Sequence, residues 1–521
     1  MEKKLTIKLF DPGMSHLHRV GLAGLYMTLK YFDEHKINII NAGWELNNEQ
    51  VTLYWQGDDE KFFDSLFKVS FSSDSQGLID FAAHRGMLIG DLEKVFLNDV
   101  LLMTYLQHPK QNKIPKGSNR IININFNDKS VIVNYKPFGV NYAHIDAAKD
   151  ITDKQRRLKE RINIKGWLYP GAIKRHEKIS ASELEEPPGR FLSLIYAPTA
   201  SLYYRLSHKN RDGKYDKRRS AAIILPHIDN LASYAQCYRR CLNTPVDKLY
   251  ADGLADAGMA ALLTLRAGEK LDTLGVTGCT IIIMGSLAWA KQQKTRSFVA
   301  KLEGIDDNCL DLFELAYKIL PNKIFLKVPV ADENRQGNTY DVGTSLSRGL
   351  IAENLASGRD WFRGFVELMN SKKQAELVSY EKGGLNQMVN ENIWSFETDK
   401  QFIEALHTAI KNRYGALAAR TRSGERIPFD KEFERMRTGL MRSKNAASLR
   451  AELADIFARG GINLPLQENW RELLPLFTGK DWQRARDLAL LALASYSGSG
   501  AVDAMPVVVP DDEENESNDI D

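Results

Sequence analysis

The stretch that most constrains the fold lies at the start of the chain, Leu5 to Phe32 (LTIKLFDPGMSHLHRVGLAGLYMTLKYF). Leu5, Ile7 and Leu9 alternate with Thr6 and Lys8, the period of a half-buried strand. Asp11-Pro12-Gly13 supplies a turn, with Pro12 presetting φ and Gly13 able to take a positive one. Ser15 stands where an N-cap belongs, opening a helix that the spacing carries to about Phe32. Leu22, Leu25, Leu29 and Phe32 form one apolar stripe on that helix, and Leu17, Val20, Gly21, Gly24 and Thr28 form a second. A helix apolar on two faces is buried between layers. Gly21 and Gly24 each carry a helix-propensity penalty of about 1 kcal/mol, which the close approach of another backbone would offset.

A chain of 521 residues exceeds one core, so two or three domains are expected. The expected class is α+β: a mixed-sheet N-terminal body over residues 1–375, a C-terminal α-helical bundle over 376–500, and a disordered acidic tail over 501–521. Strand patterns fall in a hairpin over 43–55 and at 77–84, 121–125, 130–135, 191–196, 221–225, 279–284 and 324–328. Helical patterns fall at 58–68, 89–107, 153–161, 228–242, 249–267, 306–319, 345–357 and 359–370. After about residue 375 the strand signal stops. Apolar-striped helices then recur at 398–421, 429–443, 445–459, 467–477 and 480–496 with Gly or Pro between them, the signature of a bundle.

The opening MEKKLTIKLF has no uninterrupted apolar run of a secretory signal, and the longest apolar runs fall far short of the roughly 20 residues a membrane span needs. Four cysteines in so long a chain make no disulfide framework. A cytoplasmic, reduced setting is expected. The formal charge of +3 conceals a division: residues 503–521 hold eight acids and no base, so setting those eight aside leaves the body at +11. Such a body attracts polyanions by Coulomb forces and counterion release, although mild basicity also serves solubility alone.

Motifs for turnover are absent. His16 and His18 lie two residues apart on a helix, about 200° around its axis, and cannot share an ion. Cys237 and Cys241 share a helical face, but zinc needs two more ligands, and Cys279 and Cys309 are isolated. Gly21 and Gly24 sit inside a helix rather than at a strand-to-helix turn, so they are no dinucleotide fingerprint. There is no Walker A sequence, no GxSxG and no His-Asp cluster, and His84, His144, His176 and His208 stand alone. No catalytic residue, cofactor or metal is expected. Dispersed carboxylates leave a metal-dependent nuclease open as the alternative.

Basic stretches carry the functional signal. Tyr203–Arg219 (YYRLSHKNRDGKYDKRR) holds Arg205, Lys209, Arg211, Lys214, Lys217, Arg218 and Arg219 against Asp212 and Asp216, with Tyr203, Tyr204 and Tyr215 interleaved. Asp212-Gly213 reads as a hairpin tip that would carry these bases away from a sheet as a DNA-binding arm; the plainer reading is a solvated charged loop. Asn334, Arg335, Gln336 and Asn338 lie in a polar loop over 331–339, side chains that can read base edges or simply form a turn. Lys291, Gln292, Gln293, Lys294 and Arg296 follow a buried strand and Trp289, and with Lys174, Arg175 and His176 they are the candidate RNA contacts. Lys110–Arg120 has four bases and no acid but weaker claims. In the bundle, Arg420, Arg422, Arg426, Arg435, Arg437, Arg442 and Lys444 form a basic band across one helix junction, either a strand path or a solvated face.

Three blocks carry a family likeness: Phe10-Asp-Pro-Gly-Met-Ser-x-Leu-His-Arg-x-Gly-Leu-Ala-Gly-Leu, Gly166-Trp-Leu-Tyr-Pro-Gly-Ala-Ile-Lys-Arg-His176, and Trp289–Arg296 (WAKQQKTR). They resemble the CRISPR-associated large subunit of type I Cascade, in the type I-B-related subtype first named for Myxococcus, the MYXAN group. The resemblance implies a non-enzymatic subunit that binds CRISPR RNA, target double-stranded DNA and the backbone, handle-binding and small subunits of the complex. It also implies reading of the protospacer-adjacent motif and stabilisation of the R-loop, with a helical C-terminal part along the displaced strand. Binding would lead to degradation through a helicase-nuclease or to RNA-guided transposition through an adaptor. A structural adaptor without direct DNA contact is the remaining rival. In some related systems a small subunit starts inside the large-subunit gene, and Met388 is suitably placed for that.

Overall fold

The computed structural model describes residues 2–498 apart from 88–89, 108, 115–117, 127–128, 139–141, 165–166, 168–183, 208–219, 268, 290–291, 328–338, 392, 423–424 and 479–480. The N-terminal pattern resolves into β1 (Glu2–Lys8) and α1 (His16–Glu34). Ser15 opens the helix, its backbone N–H donating to His18 Nδ1 at 3.3 Å. Two further strands, β2 (Ala42–Leu46) and β3 (Gln50–Gln56), complete a three-stranded antiparallel sheet in the order β1-β3-β2. Helix α2 (Asp59–Ser70) follows, capped by the Asp58 carboxylate, which accepts from Lys61 N–H at 3.1 Å. Then come α3 (Asp91–Met103) and the hairpin β4 (Arg120–Phe126) with β5 (Lys129–Tyr135).

Residues 191–196, expected as a strand, are helical: they lie in α4 (Pro188–Ala200), with Pro187 as N-cap. Every residue from Phe191 to Ala200 is buried, so the helix shows no polar face, and a short continuous apolar run cannot be told from a strand by period. Helix α4 is the neighbour that the glycines of α1 require. A Cβ at Gly21 would stand 1.8 Å from Ser193 O, and one at Gly24 would stand 2.3 Å from Tyr196 O.

The central sheet is mixed and five-stranded. Its order runs from the short strand Tyr250–Ala251 through β6 (Leu202–Leu206), β7 (Ser220–Ile228) and β8 (Val276–Trp289) to β9 (Gln292–Glu303). Tyr250–Ala251 is parallel to β6 and the other pairs are antiparallel. Helices α5 (Leu231–Cys241), α6 (Leu254–Arg266) and α7 (Asp307–Ile319) and the hairpin β10 (Lys323–Lys327) with β11 (Thr339–Gly343) complete this body. The charged segment 153–161 is not the expected helix. Asp153 Oδ1 accepts from the backbone N–H groups of Gln155 and Arg157, at 2.8 and 2.9 Å, a local turn that competes with helix formation.

From α8 (Leu346–Ala356) onward the described residues form no strand. Helices α9 (Lys372–Ser379), α10 (Lys382–Asn390), α11 (Glu397–Arg420), α12 (Phe429–Arg442), α13 (Ala446–Gly460), α14 (Trp470–Thr478) and α15 (Trp482–Ser495) pack around a second core. The helix expected over 359–370 shrinks to the turn Phe365–Leu368, entered through Gly364 at φ 72°. Asp487 on α15 takes the Gly364 N–H at 2.8 Å there, which fixes the turn. The second core also recruits Leu346, Leu350, Trp361, Phe362 and Met369, ahead of the bundle helices. Met388 is fully buried within α10, and a product starting there would lack the second-core residues Leu346, Leu350, Trp361, Phe362 and Met369. No described helix is long and apolar enough to cross a membrane.

Candidate nucleic-acid interface

The basic arm grows out of the central sheet. The β6–β7 ladder runs from Leu202↔Ile224 to Leu206↔Ser220, so residues 207–219 connect two antiparallel strands, as the hairpin reading requires. Lys209, Arg211, Lys214, Tyr215, Lys217, Arg218 and Arg219 lie outside the described residues. The start of the stretch corrects expectation. Tyr203 and Tyr204 are buried in β6 and unavailable to stack on bases, and the Tyr203 hydroxyl donates to Pro198 O at 2.8 Å. Arg205 is no free phosphate clamp either: its side chain is 16% exposed and lies 3.9 Å from Asp99. Burial works against its charge, yet Tyr250 and Asp99 hold its pKa above the ordinary value.

A second basic stretch emerges at the same end of the sheet. Gly285 on β8 pairs with Ser220 on one side and with Arg296 on the other. Beyond that point β8 and β9 run on as a two-stranded ribbon, from Ser286↔Thr295 to Trp289↔Gln292. Two interstrand spacings put the Cα atoms of Ser220 and Arg296 about 10 Å apart. The base of the arm, directly after Arg219, therefore adjoins the ribbon bearing Gln292, Gln293, Lys294 and Arg296. Lys291 lies outside the described residues.

The start of this connection, at Ser207, is held from the far side by groups the sequence did not single out. Ser207 N–H donates to Ala251 O at 3.0 Å, and Thr344 Oγ1 donates to Ser207 O at 3.2 Å. Tyr340 on β11 packs near Tyr250 and Arg205; burial, then Tyr250, pushes its hydroxyl pKa up. No local signal marks these residues, because they meet only through the sheet. The loop with Asn334, Arg335, Gln336 and Asn338 joins β10 to β11 and lies outside the described residues, as do Lys174, Arg175 and His176. In the Lys110–Arg120 stretch, Lys113 pairs with Asp146, and Arg120 Nη1 donates to Ser75 O at 3.2 Å.

The basic band of the bundle divides. Arg437 is buried, donating to Met369 O at 2.6 Å and to Glu434 Oε2 at 2.8 Å, and Arg435 is held by Glu432 and Asp455. Arg437 serves structure, because a buried guanidinium must be paired, and Arg435, half-buried, is engaged by two acids. Arg420, Arg422, Arg442 and Lys444 are exposed, and no side-chain ion pair engages them among the described residues. Arg426 is exposed and pairs with Asp430. Helix α12 separates Arg426 from Arg442 and Lys444 by its own length, about 20 Å, so the exposed cations form two groups rather than one band.

Among the described residues no three His, Cys, Asp or Glu side chains gather as a metal site. His16 stacks on His227 with centroids 3.7 Å apart, while His18 turns to Ser15, so the pair does diverge. Burial pushes the thiol of Cys309 up to about 11, away from thiolate chemistry.

A family model described as the DevT N-terminal domain matches residues 6–195, and one described as the DevT C-terminal domain matches residues 390–521. The CRISPR-associated protein Cas8a1/Csx13 of Myxococcus xanthus (strain DK1622) is 27% identical over 530 residues, covering 95% of this chain and 89% of the relative. The chain belongs to the family of CRISPR-associated large subunits. In this large subunit the DevT N-terminal match ends inside α4, so it takes in α1 and most of its partner helix, and the C-terminal match begins at the last residue of α10. The arm, the ribbon and the β10–β11 loop all fall between the two matches.

Proposed function

We propose that this large subunit works without catalysis, in the cytoplasm, within a CRISPR RNA-guided DNA surveillance complex of the Cascade type. It holds CRISPR RNA and target duplex together with the backbone, handle-binding and small subunits, reads the protospacer-adjacent motif, and steadies the R-loop. Sequence is read by the guide, and the protein contributes motif recognition and backbone contacts. The observation that carries this reading is the register through Ser220, Gly285 and Arg296, which roots the arm and the ribbon side by side. Six bases of residues 208–219 and three of residues 291–296 thereby leave one end of one sheet, with Asp212 and Asp216 as the only acids in either stretch. Concentrated cations on a rigid base suit phosphate backbones. Gln292, Gln293 and the loop residues Asn334, Arg335, Gln336 and Asn338 supply donors and acceptors for base edges or guide. The exposed cations of the bundle serve the displaced strand. The downstream partner is a helicase-nuclease or a transposition adaptor, and the neighbouring genes distinguish them.

The test is co-expression with the adjacent operon, followed by duplex binding with the short motif intact or scrambled. The expected complex carries guide RNA and loses at least about tenfold in affinity on scrambling, since each mismatched pair in a specific site costs about 1–3 kcal/mol. An assembled complex without guide, or one indifferent to the motif, would sink the proposal.

A further inference from the structure

The acidic residues 503–521 lie outside the described residues, but the structure describes where the chain sets out toward them. Helices α11 and α15 lie side by side and run in the same direction. Arg484, near the start of α15, donates to Asp399 at 3.2 Å; farther on, His407 Nε2 lies 3.0 Å from Ala492 O; last, the Tyr496 ring stacks edge-on against Tyr414, centroids 5.6 Å apart. Each advance along α15 is an advance along α11. The chain therefore leaves Tyr496 heading toward the C-terminal end of α11. Arg420 is six residues past Tyr414, about 9 Å at helical rise. Asp503 is seven residues past Tyr496, an extended reach of about 24 Å.

At that end of α11 and the start of α12, Arg420, Arg422, Arg426 and Lys431 are exposed, against Glu425 and Asp430. The Arg426–Asp430 pair is 87% and 78% exposed, which leaves it weak and easily exchanged. The segment tethered beside this surface carries eight acids and no base. We propose that residues 503–521 are the resident partner of the cations around Arg420, Arg422 and Arg426, and that they compete there with single-stranded nucleic acid. The competition, though not the contact, rests on the function proposed above. A short tether holds the acids at about millimolar effective concentration, enough to favour weak ionic contacts over stray nucleic acid. A strand presented by the assembled complex displaces them, and salt weakens both.

Carbodiimide cross-linking of the full chain, mapped by mass spectrometry, tests the contact. Acids of 503–521 are expected to join to Lys431, and less so in the R420E/R422E/R426E variant. Cross-links that avoid Lys431, or that persist in the variant, would overturn the proposal. Competition is read with a fluorescent single-stranded oligonucleotide. A chain ending at Val502 is expected to bind about tenfold tighter at about 50 mM salt, and the gain should vanish at high salt and in the triple variant. Specific cross-links without that gain would keep the contact and overturn the competition, isolating the fault in the strand-path reading of the bundle.

Discussion

Arg348 grips Asp256 with two parallel hydrogen bonds, Nε to Oδ1 at 2.8 Å and Nη2 to Oδ2 at 2.9 Å, and both side chains are out of solvent, at 1% and 0% exposure. Leu320 O and Asn322 Oδ1 accept two further guanidinium N–H groups at 3.1 and 2.8 Å. Asp256 belongs to α6 in the first core, and Arg348 to α8, where the second begins. A buried ion pair thus spans the joint between the two cores. Asp256→Ala strands a buried cation and is expected to cost about 3–5 kcal/mol, read as a fall in the urea midpoint. Asp256→Leu combined with Arg348→Met should recover most of that loss, because apolar replacement of a buried pair is close to neutral. A double variant as weak as the single one would refute this account of the joint.

Two glycine substitutions should move stability in opposite directions. At Gly21 the obstacle is the Ser193 carbonyl, 1.8 Å from an added Cβ, and backbone cannot rotate away. Gly21→Ala is expected to cost about 1–3 kcal/mol or more despite the better helix propensity. Gly383, also helical, has open space around it, and Gly383→Ala should stabilise by about 0.5–1 kcal/mol. Equal effects at the two sites would rule out close helix approach as the reason for Gly21.

Charge removal at Arg218 and Arg219 is expected to weaken duplex binding by the assembled complex. The slope of log affinity against log salt should fall by about 2, near 0.9 for each phosphate that is no longer neutralised. An unchanged slope would take the arm off the DNA path. Loss of assembly would reassign it to a guide or subunit contact.

Arg437 and Arg420 should separate folding from binding. Arg437→Ala removes the donors to Met369 O and Glu434 and is expected to lower stability by about 1–3 kcal/mol. Arg420→Ala, at an exposed site, should stay within about 0.5 kcal/mol of the parent in stability. Oligonucleotide binding by the tail-less chain is expected to respond the other way, weakening for Arg420→Ala alone.

Buried histidines make stability fall in acid. Burial lowers His84 and His407 to about 4 and His144 to about 3, from an ordinary value of 6.5. The unfolded chain takes up these protons first, so stability is full above about pH 6.5 and declines as pH drops toward 4. The slope is about 1.4 kcal/mol per pH unit for each histidine. Thermal midpoints at pH 7 and pH 5 check this, and a flat profile would contradict the burial of the three rings.

Much of the local structure was legible because it is written in periodicities of a few residues. The alternation after Leu5, the two-faced helix with Gly21 and Gly24, the 43–55 hairpin and the long helices after residue 375 all stand where their spacing put them. Reading failed where burial erased the period, as in α4, and where a side chain competed locally with the helix, as at Asp153. By itself, the sequence determined which segments coil or extend, that α1 needs another backbone against it, and that positive charge is concentrated in a few stretches. Only the tertiary structure decided which charges are free. Arg205 and Arg437 look like their neighbours in the sequence, yet Asp99 and Glu434 with Met369 O engage them, while Arg420 faces water. It also set the base of the arm beside the Arg296 ribbon, some 80 residues away. The physical reason is that a charge's role depends on the solvent and partners around it, and those come from strands and helices distant in the chain.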